Sequence, residues 1–129
     1  MSLDYILVKG RTVPQELNEL EPDPAFNVDE YRALAVSLFR AVEWLSDGRG
    51  YAERSDISIE LHPDDSGLSL WCRGSGDIAS LINEIALAVH GQGVVVIDVQ
   101  TSQLIAPENP LASPDYVAWY RAVTSDARG

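Results

Sequence analysis

Cys72, His62 and His90 are the side chains in this 129-residue chain best suited to nucleophilic attack or proton transfer. Their sequence surroundings do not build a site. Cys72 shares the phase of Leu68 and Leu70 in an alternating stretch, which turns its thiol inward, where a thiol serves as inert packing. His90 closes a helical pattern, a place where a positive imidazole suits the helix C-terminus. His62 precedes Pro63 among turn residues and is expected at the surface. Asp64 and Asp65 are adjacent on the same turn. Acid–base chemistry needs two carboxylates in separate, partly dry environments, and a solvated turn offers neither. The histidines and the cysteine have no metal-ligand spacing, and no loop follows the calcium-binding order, so neither metal nor cofactor is expected. Gly74-Ser75-Gly76-Asp77 opens a helix after a strand, where backbone N–H groups can hold an anion. It lacks the rest of a phosphate-binding motif and its aspartate would repel phosphate, so it reads as a turn. The chain is expected not to be an enzyme.

Charge gives a stronger signal. Twenty acidic residues face nine basic ones, for a formal net charge of −11. Nucleic acid and anionic membrane surfaces are therefore unfavourable partners, whereas a basic protein is a favourable one. The acids concentrate. Glu16, Glu19, Glu21, Asp23, Asp29 and Glu30 fall in one stretch without a single base. Such a run is commonly a solvated surface. Its functional reading is a docking surface for a basic partner, with Trp44 as an aromatic at its rim. Trp44 reads equally well as core.

The elements that would position these residues follow from pattern. Residues 3–9 form a first strand ending at Gly10. Residues 10–26 are an acidic connection punctuated by Pro14, Pro22 and Pro24, with room for a short helix opening at Pro14. Over 27–46 the sequence predicts a helix. Asn27 is its N-cap, Phe26 and Tyr31 occupy the staple positions, and Tyr31, Leu34, Ala35, Leu38, Phe39, Val42 and Leu45 form its buried stripe, with Gly48 and Gly50 stopping it. Alternation predicts strands over 57–62 and 68–73, joined as a hairpin. A second helix over 78–90 is capped by Asp77 and ended by Gly91. Val94 to Ile97, too short and β-branched for a helix, leads a strand over 94–99.

The order βαββαβ predicts a single α+β domain over 1–129 with a ferredoxin-like core over 3–99. Four antiparallel strands would carry two helices on one face, with strands one and three central. An extension over 100–129 would add a third helix, capped by Ser113 and striped by Tyr116, Trp119, Tyr120 and Val123. That helix or a second subunit would cover the helix-free sheet face, where Trp71 should point, making a homodimer through this face an expectation. One cysteine, no secretion signal and no membrane-length apolar run place the chain in the cytoplasm.

The opening Asp4-Tyr5-Ile6-Leu7-Val8-Lys9-Gly10, followed by its proline-punctuated acidic segment, and the later Gly93-Val94-Val95-Val96-Ile97-Asp98-Val99-Gln100 before Leu104 carry a resemblance. They look like a group of small actinobacterial and proteobacterial proteins, some of which resemble the immunity proteins encoded beside polymorphic toxins. Lys9 departs from the aromatic common there, and Val99 replaces a proline. The resemblance implies a non-enzymatic inhibitor of a basic toxin and carries over no catalytic residue. The alternative is a regulatory domain, since the βαββαβ order also resembles amino-acid-binding ACT domains.

Overall fold

A computed structural model describes residues 2–111. The expected third helix, with Tyr116, Trp119, Tyr120 and Val123, lies outside the described residues. The described chain is α+β, with two helices on a seven-stranded antiparallel sheet. The strands are β1 (Leu3–Lys9), β2 (Glu43–Trp44), β3 (Gly50–Arg54), β4 (Ile57–Pro63), β5 (Leu68–Gly74), β6 (Val94–Asp98) and β7 (Gln103–Ile105), in the spatial order β2-β3-β4-β5-β1-β6-β7. The helices are α1 (Val28–Phe39) and α2 (Ile78–His90). Four strands were expected and seven are present among the described residues. The four expected ones occupy the order β4-β5-β1-β6, and the extra three extend both edges.

The sheet has one dry face because its strands alternate. Leu3, Tyr5 and Leu7 of β1 stand in register with Cys72, Leu70 and Leu68 of β5, and Ile59 and Leu61 of β4 continue those rows. All are buried in one cluster with Tyr31, Leu34 and Ala35 of α1 and Ile78, Leu81, Ile82, Ile85 and Val89 of α2. Both helices therefore lie on the same face. The Tyr31 hydroxyl, accepting from the Lys9 backbone N–H at 3.0 Å, ties α1 to the end of β1.

Helix starts match their sequence signals. Asn27 accepts from the backbone N–H groups of Asp29 and Glu30, and the Phe26 and Tyr31 rings meet edge-on at 4.7 Å. Asp77 accepts from the Ser80 N–H. Helix ends are less faithful. Gly91 keeps a right-handed helical conformation, and Gly93 supplies the positive φ instead.

The largest correction concerns residues 40–54. The first helix does not run to 46; it stops at Phe39, with Arg40 at φ 63°. Val42 to Leu45 then extend, and Leu45 donates to the Arg49 carbonyl across a turn in which Gly48 takes φ 94°. Glu43 and Trp44 pair with Tyr51 and Gly50. Val42 and Leu45 fit helical spacing, but the β-forming Val42 and Trp44 and the Asp47-Gly48 turn favour a hairpin. That hairpin packs Val42 and Trp44 against the core. A two-residue turn, Ser55-Asp56, with both residues at positive φ, then joins β3 to β4.

Candidate functional site

The acidic residues sit where the long connection meets α1. Glu16, Glu19, Glu21, Asp29 and Glu30 are exposed and Asp23 is half-buried. Three of the connection's residues form a single 3-10 turn, Leu17–Glu19, rather than a helix opening at Pro14. Glu16 lines a hollow beside β7, with Gln103 and Asn109. Glu19 accepts from the Gln15 N–H and Asp23 from the Ala25 N–H. Asp29 and Glu30 lie in the first turn of α1, where negative charge suits the helix dipole. Burial of the Tyr31 phenol raises its pKa, and the charges of Asp64, Asp23 and Glu30 push in the same direction. Among the described residues, none of the six acids forms an ion pair.

Asp64 and Asp65 have backbone partners. Asp64 accepts from the N–H groups of Ser66 and Gly67, and Asp65 accepts from the Val28 N–H at the start of α1, 3.0 Å away. Trp44 lies on β2. It packs at the β2 edge against the core, with the Arg32 guanidinium 4.7 Å from its ring centroid.

Cys72 is buried as its phase implied, and burial pushes the thiol up to about 12. The folded chain is therefore expected to resist a thiol reagent at pH 8 and to label fully once unfolded in urea. Labelling of the folded protein at the rate of a free thiol would contradict this. Because the folded thiol holds its proton more tightly than the unfolded one, its contribution to stability is complete below pH 9. It is lost between pH 9 and 12 at roughly 1.4 kcal/mol per pH unit.

His62 lies within β4, inside the strand expected over 57–62, but it is half-buried rather than exposed, and its ring stacks on Trp71 with centroids 4.1 Å apart. Its Nε2 is buried without a hydrogen-bond partner, 3.5 Å from Glu60 Oε1. Glu60 is only 9% exposed and accepts from Arg49 Nη1 at 2.9 Å. Arg49 also donates to Asp47, whose pKa is lowered first by the Arg49 backbone N–H and then by its guanidinium. Arg49, Glu60, His62 and Trp71 thus form a connected group on the sheet face opposite the helices. Sequence reasoning missed this group, although the alternation of β4 and β5 put its strand members on the wet side. Asp98 was missed as well. It is fully buried, its Oδ1 accepts from the backbone and side chain of Gln100, and its Oδ2 has no partner among the described residues.

Among the described residues, no three of the histidine, cysteine, aspartate and glutamate side chains stand together as a metal would need. No described helix is long and apolar enough to cross a membrane. The Gly74–Asp77 segment is occupied by the chain itself, since the Gly76 N–H donates to the Asp56 carbonyl. No family model, curated protein or solved structure matches the chain.

Proposed function

We propose that the chain is a non-enzymatic module that binds a basic protein, acting as an immunity protein does when it covers a toxin's active site. The observation that carries this reading is the set of six acids at 16–30 without an ion-pair partner among the described residues, on a chain of net charge −11. Carboxylates already neutralised by neighbours would offer little to a partner, whereas these are unspent. Their field would steer a cationic surface toward the start of α1 and raise the encounter rate more than the lifetime of the complex. The fold assignment that goes with this reading is a ferredoxin-like unit, β1-α1-β4-β5-α2-β6, enlarged by β2, β3 and β7.

The test is the association rate of the chain with the basic protein it captures, measured at about 50 and 500 mM salt. The rate is expected to fall tenfold or more, and replacing Glu16, Glu19 and Glu21 by glutamine should slow association at the lower salt. Equal rates at both salt concentrations would sink the proposal.

A further inference from the structure

The sheet face opposite the helices carries a pattern that the acidic segment does not explain. Its register sets Tyr51 of β3 opposite Glu60 of β4, Glu60 opposite Trp71 of β5, and Trp71 opposite Asp4 of β1. Ring and carboxylate alternate across four neighbouring strands. Both rings are well exposed, Tyr51 at 41% and Trp71 at 37%. Their surroundings are fixed in advance: Arg49 holds Glu60, His62 stacks on Trp71, and the Ser2 hydroxyl donates to Asp4 at 2.9 Å. The adjoining row, through Ile6, Ile97 and Leu104, is aliphatic and half-buried. The face is thus aromatic and acidic on one side and aliphatic on the other.

We infer that the strip Tyr51–Glu60–Trp71–Asp4 is the anchor site for a basic amphipathic segment of a partner protein. A lysine or arginine would lie over Trp71 between Asp4 and Glu60, with apolar side chains on Ile6 and Ile97. The inference rests on the basic-partner reading above and gives the anchoring role to Trp71 rather than Trp44. The ring quadrupole of Trp71 and the charge of Asp4 each attract a cation, and Glu60, which Arg49 already holds, bounds the site on its other side.

Charge selects the occupant. The strands of this half present Asp4, Glu43 and Glu53 against Arg73, while Glu60 is engaged by Arg49 of the preceding turn, which Asp47 also holds. A second copy of the chain would set the same acids against these, on a molecule already at −11. Leu111 exchanges both backbone groups with the Asn83 side chain of α2, on the helix-bearing side. A cationic partner is the occupant this charge favours.

The experiment is a titration of the isotope-labelled full chain with the peptide acetyl-Arg-Leu-Arg-Leu-amide at low salt, followed by NMR. The Trp71 indole signal, identified by its loss in Trp71→Phe, should move together with the amides of Asp4 and Glu60. Trp71→Ala should weaken binding tenfold or more, and Asp4→Asn, which spares the ring, several-fold. Movement confined to residues 16–30 overturns the inference and leaves the acidic-segment reading standing. Movement at neither place overturns both. Contacts in the free chain from the Trp71 indole to Tyr116 or Trp119 identify the chain's own C-terminal segment as the occupant. Concentration-dependent shifts of the same signals without peptide identify a second copy. Either result overturns the inference.

Discussion

Replacing Leu70 by alanine is expected to lower the free energy of unfolding by about 2–5 kcal/mol, the range for a large aliphatic side chain removed from a core that cannot fully collapse. Leu70 lies in β5, between Tyr5 on one neighbour and Leu61 on the other, and all three are fully buried. Strand partners on both sides and helices above leave the gap few ways to close. The measurement is urea unfolding, read as a lower midpoint at an unchanged slope. Leu87→Ala is the control: Leu87 lies on the exposed side of α2, and its loss should change stability by no more than about 0.5 kcal/mol. Equal losses at the two positions would show that the sheet's dry face is wrongly assigned.

Gly74→Ala should cost about 2 kcal/mol or more, through the backbone rather than through any lost ligand. Gly74 has a φ of 126°, a conformation a side chain disfavours, and a Cβ there would be driven into the Asp56 carbonyl oxygen. Two residues on, a Cβ at Gly76 would meet the Ser55 carbonyl. The two glycines therefore make room for the Ser55-Asp56 turn, whose own residues both hold positive φ. Ser75→Ala, between them and exposed, should be neutral to within about 0.5 kcal/mol. Thermal unfolding of the three variants checks the ranking. A stable Gly74→Ala protein would remove the steric account and return the segment to consideration as an anion site.

Elements with a signal at both ends were legible. The second helix matches its expected bounds because Asp77 marks the start and the aliphatic stripe continues to Val89. The first strand matches because its alternation ends at Gly10. The first helix overran because Val42 fits a helical period with Leu45 and a strand period with Trp44, and only the pairing of Trp44 with Gly50 decides between them. The Ser55-Asp56 turn was hidden because neither residue is a glycine, the usual mark of positive φ.

The candidate site divides in the same way. Acidic residues cluster in the sequence itself, so composition reveals them. The Arg49–Glu60–His62–Trp71 group comes from three separate stretches and exists only once β4 and β5 are in register and the 45–49 turn has folded over them. Its one local clue was that Glu60 and His62 share the wet phase of a strand, and treating His62-Pro63 as turn residues discarded it.

The borders of the sheet have a consequence of their own. A wide antiparallel sheet invites further strands to hydrogen-bond along its open sides and grow into fibrils. Among the described residues the outermost segments are β2, with two residues, and β7, with three, and each longer strand has a neighbour on both sides over at least part of its length. So short a border gives an incoming chain little ladder to extend. Deleting the 42–49 hairpin would bare the five-residue β3 as the new border, and the shortened protein is expected to convert to thioflavin-binding aggregates faster than the parent.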